Sequence, residues 1–190
     1  MRRLRSRLVA PTLLAALMMS AGALADQPKL VLSPYEQALR YLETGDCEKG
    51  QKQLFPKGVI RVGEDVALTD VGECYITAAK KMTDEEAAQR SRETGAGWIL
   101  LAANRGLRTA QEVAVRLYLD NKVFMIDPYE AGKWYVVWQQ NRSQVQYGTV
   151  EFDAGLLKQM NSFTPGQWAE AKARAADWHP LTSVQTPAAP

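Results

Sequence analysis

The side chains best suited to attack a substrate or hold a metal are few. Cys47, Cys74 and His179 are the only thiols and the only imidazole in 190 residues. Two thiols and one imidazole supply too few soft ligands for a zinc site. His179 stands beside Pro180 with no acidic pattern around it, so it reads as a surface residue rather than a general base. No Gly-x-Ser-x-Gly, His-Glu-x-x-His, Cys-x-x-Cys or glycine-rich phosphate loop occurs. Glu85 and Glu86 are neighbours on a predicted helix and point apart. They suit its first turn, where negative charge meets the positive end of the helix dipole. The sequence therefore predicts no catalytic residue, no metal and no cofactor. It leaves a disulfide and aromatic recognition as the available chemistry.

The compartment decides the disulfide. Arg2, Arg3, Arg5 and Arg7 precede an uncharged, mostly apolar run to Leu24, and Ala23-Leu24-Ala25 has the small-x-small form of a cleavage site. Residues 1–25 are expected to be a secretory signal peptide, with export to the periplasm of a bacterium. The run is short and broken by Pro11 and Gly22, which argues against a membrane-spanning helix. No stable membrane insertion is expected after cleavage. Removing the four arginines leaves 19 basic side chains against 21 acidic, a net charge of −2. The mature chain holds no basic run, so nothing points to nucleic acid or anionic lipid. An oxidising compartment favours pairing of Cys47 with Cys74. The two lie 13 or 14 residues on either side of Ile60 and would come level across an antiparallel hairpin.

The elements that must position these groups are helical. Ser33-Pro34-Tyr35-Glu36, Asp127-Pro128-Tyr129-Glu130 and Thr164-Pro165-Gly166-Gln167 each place a capping residue, then Pro, then Glu or Gln at the third helical position. Thr83-Asp84-Glu85-Glu86 repeats the pattern without Pro, with Thr83 as the cap. The spacing predicts helices over 34–44, 47–56, 65–82, 84–104, 108–120, 128–141, 144–161 and 165–178, with a connector at 56–63. The segment 144–161 also alternates like a strand around Val145 and Phe152. One domain is expected over 26–180, followed by a disordered tail at 181–190 rich in small residues and proline.

Trp98 and Trp134, 36 residues apart, open similar stretches, Trp98-Ile-Leu-Leu-Ala-Ala-Asn-Arg and Trp134-Tyr-Val-Val-Trp-Gln-Gln-Asn-Arg. Self-similarity at such a period marks stacked repeats, which bury apolar faces between neighbouring units. The run Ala110-Gln111, Tyr118, Asp127, Ala131 and Trp134-Tyr135 resembles the Sel-one-like repeat, a relative of the tetratricopeptide repeat. Trp98, Ala102-Ala103, Gly106 and Ala110 form a preceding copy. Ala67, Val71-Gly72 and Tyr75 form an earlier one. The resemblance covers about residues 34–142. It implies an all-α fold of antiparallel helix pairs stacked as a short α-solenoid of 7–8 helices. Ala67, Gly72, Ala102, Gly106, Ala110 and Ala131 would then be the small residues at crossings and turns. Tyr75, Trp98, Tyr118 and Trp134 would fill the gaps between units.

Trp138 stands where the preceding copy has a small alanine. This singles out a candidate recognition surface of Tyr129, Lys133, Trp138 and Gln140 on one helix, since Trp and Tyr often anchor interfaces. The function expected is a non-catalytic adaptor that binds an envelope protein or peptide. A binding module for cell-wall fragments, a subunit of a larger assembly and a hydrolase with an unrecognised site are the rivals.

Overall fold

In the computed structural model the described residues are 32–56, 65–141 and 151–181. The expected signal peptide, nearly all of the 56–63 connector, residues 144–150 and the tail beyond Leu181 lie outside them. The described residues form eight α-helices and no strand: α1 Pro34–Thr44, α2 Cys47–Leu54, α3 Asp65–Ala79, α4 Glu85–Asn104, α5 Arg108–Leu119, α6 Pro128–Gln140, α7 Ala154–Met160 and α8 Pro165–Ala176.

Local sequence explains where the helices start. Ser33 and Thr164 close full capping boxes with Glu36 and Gln167. Asp127 caps α6 through the Tyr129 and Glu130 amides. Two expectations need correction. The cap of α4 is Asp84, one residue after Thr83, because its carboxylate reaches the amides of both Glu86 and Ala87. Residues 151–153 are not helical; α7 begins only after Asp153, which caps it through the Leu156 amide. Phe152 is drawn out of any helix by packing edge-on against Tyr135 and Trp138, with ring centroids 4.9 Å apart in each case.

Consecutive helices from α1 to α6 pack on one another, and α6 packs on α8. Paired residues rise in number along one helix as they fall along its neighbour, so the neighbours are antiparallel. Tyr75 meets Ser91 and Gly72 meets Ile99 between α3 and α4. Glu130 meets Arg174 and Tyr135 meets Trp168 between α6 and α8. α1 also touches α3, and α5 touches α7.

Small residues set how closely these helices approach. A Cβ on Gly72 would fall 2.6 Å from the Gly95 carbonyl, and one on Gly95 would fall 2.5 Å from the Gly72 carbonyl. Two backbones therefore touch at the α3–α4 crossing, and neither position admits a side chain. Ala67, Ala102, Ala110 and Ala131 are buried, as expected of crossing residues. Gly106 takes a left-handed φ of 93° and turns the chain from α4 into α5. At 0% exposure, Gln111 is held by its amide: it donates to the Ala103 carbonyl and accepts from Asn141, which also donates to Gly106. That network ties α4, α5 and the end of α6 together.

The two sulfurs form a disulfide between the start of α2 and the middle of α3, with Cα atoms 5.7 Å apart. A half-buried ion pair between Arg105 and Asp65 joins the end of α4 to the start of α3. Trp98 stacks on Phe55 at 5.6 Å, and Trp134, 2% exposed, meets Trp178 edge-on at 6.4 Å.

Candidate functional site

The face proposed from the sequence lacks its expected anchor. Trp138 is buried at 8% exposure, because Phe152 covers one side and the Arg108 guanidinium lies 3.9 Å over the ring. Lys133 bonds Glu130 at 3.0 Å and lies 4.7 Å over the Trp134 ring. Tyr129 lies under the Arg174 guanidinium. Tyr129 is still 38% exposed, and Gln140 projects at the end of the helix. α6 is held between α5 and α8, and the expectation that Trp138 projects as a recognition anchor is corrected: its ring is part of the packing.

Surface hollows lie elsewhere, along α1, α3, α5 and α7. Three cavities follow one another across these helices. The first, of about 450 Å³, lies between α1 and α3 and is lined by Leu39, Leu42, Glu43, Asp70, Glu73, Cys74 and Thr77. The second, of about 290 Å³, has a floor of Ile76, Ile99, Val113, Leu117 and Val123, with Lys80, Arg92, Arg116 and Lys122 among its walls. The third, of about 360 Å³, lies between α5 and α7. Glu73 and Thr77 belong to both the first and the second cavity. Arg116, Asp120 and Lys122 belong to both the second and the third. The cavities are therefore troughs of one furrow, separated by the ridges of α3 and α5.

Helical spacing builds these walls. Asp70, Glu73, Thr77 and Lys80 recur at intervals of three and four along one stripe of α3 and just past its end. Val113, Arg116, Leu117 and Asp120 do the same on α5. Residues so spaced share a helix face. The floor of the middle trough is a small apolar cluster of Ala96, Ile99, Leu117 and Val123, backed by Ile76, Val113 and Phe124 and separate from the main core.

Charge is unevenly spread along the furrow. In the first trough Glu43, Asp70 and Glu73 make no ion pair among the described residues, and burial together with Glu73 pushes the Asp70 carboxyl above its usual range. The middle trough carries four cations against Glu73 and Asp120. Arg92 pairs with Glu85, Lys122 lies 3.4 Å from Asp120, and Lys80 is exposed with no ion pair among the described residues. Burial also raises the Glu112 carboxyl on α5, against the pull of Arg116. Near the far end, Arg116 stands 3.8 Å from Asp153.

Among the described residues no three His, Cys, Asp or Glu side chains converge as metal ligands, and no helix is long and apolar enough to cross a membrane. His179 is exposed. An apolar knuckle also stands out at the α5–α6 turn, where Met125 and Ile126 are 85% and 59% exposed. Comparison with known proteins gives no match: no family model, no curated protein and no solved structure corresponds to the chain.

Proposed function

We propose that the chain is an exported, non-catalytic binding protein of the bacterial envelope. In this reading it is a short α-solenoid of the Sel-one-like kind, and the furrow along α1, α3, α5 and α7 receives a segment of another protein. The observation that carries the reading is the continuity of the troughs: each shares lining residues with the next. An extended surface of that form suits a chain-like ligand better than a small molecule, which is more often enclosed in a single apolar pocket. The disulfide between Cys47 and Cys74 suits an oxidising compartment. The signal-like residues 1–25 supply the route there.

Site-specific photocrosslinking in intact cells tests the proposal. A photoreactive residue at Thr77, on the ridge between two troughs, is compared with one at Lys172, exposed on α8. A discrete protein adduct from position 77 and none from position 172 is expected. Equal labelling from both positions, or retention of wall glycopeptides with no protein adduct, overturns the reading.

A further inference from the structure

The furrow has a charge order that selects among peptides, and this inference rests on the binding role just proposed. The trough between α1 and α3 presents Glu43, Asp70 and Glu73 over an apolar base of Leu39 and Leu42. No cation lines it. Lys81 stands on the rim of an adjoining cavity that it shares with Glu43, and the two make no ion pair. A carboxylate that is half-buried and uncompensated holds its charge less easily than it would in water, and Asp70 shows that cost in its raised pKa. One helix over, the next trough reverses the sign. There Lys80 makes no ion pair among the described residues, and Arg92, Arg116 and Lys122, each beside a carboxylate, surround a floor of aliphatic side chains.

We propose that the furrow binds an extended peptide segment that seats a basic side chain between α1 and α3 and an acidic side chain between α3 and α5. The centres of the two troughs are one helix apart, about 10 Å, which an extended chain spans in about three residues. The recognised segment thus carries Lys or Arg and, about three positions away, Asp or Glu. An aliphatic residue next to the acid meets the floor of Ile76, Val113 and Leu117. Opposite charges across such a surface fix register and reject wrongly charged partners more than they add raw affinity. The discriminating readout is therefore charge preference.

The test uses the disulfide-bonded mature chain and a displayed library of random twelve-residue peptides, with binding of individual peptides followed by fluorescence polarisation. Selected peptides should share the basic-to-acidic spacing and lose binding to Thr77→Trp, which fills the ridge between the troughs. E43Q/D70N and Lys80→Glu should each weaken such a peptide by about tenfold. Replacing the peptide's basic residue with Glu should abolish binding to the native chain and restore it on Glu43→Lys. Glu43, Thr77 and Lys80 are exposed, so these variants leave the core intact. Peptides that depend on Thr77 but ignore the charge variants overturn the charge order and leave the binding role standing. No peptide that depends on Thr77 overturns both.

Discussion

The α1–α2 hairpin and the α6–α8 pair both hold helices onto the α3–α5 centre, but by different means. α1 buries only Ala38 and Leu42, and α2 only Cys47 and Gly50. Phe55, at the end of α2, adds one ring stacked on Trp98, but so little apolar surface makes a small joint at roughly 25 cal/mol per Å², and the disulfide adds a covalent link to α3. α6 instead buries Ala131, Gly132, Trp134, Val136, Val137 and Trp138. Tyr135, Phe152, Trp168 and Trp178 close around it with ring centroids between 4.9 and 6.4 Å from their partners. One end is tied covalently and the other is locked by rings. The tied end forms one wall of the furrow, where α1 faces α3 and bulky packing would fill the acidic trough.

The largest effect should come from the ring-locked end. Trp138→Ala leaves a cavity beneath Phe152 and Arg108 and should cost about 3–5 kcal/mol, measured by urea unfolding. A cost below about 1 kcal/mol would mean that the rings do not lock this end, and the contrast would collapse. Changing Cys47 and Cys74 together to serine should cost about 2–4 kcal/mol in the chain-entropy account. Hydrogen exchange should place the loss in α1 and α2, with α6 and α8 keeping their protection. Uniform loss across the chain would show that the hairpin is not the separately tied element described here.

A smaller effect separates cap from packing. Ser33→Ala and Thr164→Ala each remove a capping box and should cost about 1 kcal/mol. The loss at Ser33 should be felt in local opening of α1, because few tertiary contacts hold that helix. The loss at Thr164 should appear only in global unfolding, since α8 is fastened to α6.

What was legible in the sequence follows the range of the interaction. The caps at Ser33, Asp127 and Thr164 could be read because each acts within four residues. The cysteine pairing could be read because one hairpin brings Cys47 and Cys74 level. The role of Trp138 could not, since its burial depends on Phe152, 14 residues later and outside α6, and on Arg108 from α5. The furrow was missed for a similar reason. Asp70, Glu73 and Lys80 look like an ordinary solvated stripe, and only the gaps between α1, α3 and α5 turn that stripe into walls. An unpaired acidic stripe flanked by apolar residues on a helix otherwise buried was the available signal.

Asp70 offers the smallest effect and the one most closely tied to the furrow. Its carboxyl is held above its ordinary range by burial and by Glu73. A group whose pKa is raised on folding favours the fold while it stays protonated, below its unfolded pKa, and that contribution is lost as pH rises through the folded pKa. At neutral pH the charged carboxylate therefore opposes folding slightly. Asp70→Asn should raise the melting temperature a little at pH 7, and the gain should shrink to nothing as pH falls below the ordinary aspartate range. A melting temperature lowered at pH 7 would mean that Asp70 has a stabilising partner in the fold, and the first trough would lose its uncompensated charge. A gain at pH 7 would mark a charge kept at the expense of stability, as binding surfaces commonly keep theirs. The ring-locked end, whose buried residues are apolar, should show no such pH-dependent gain in any substitution.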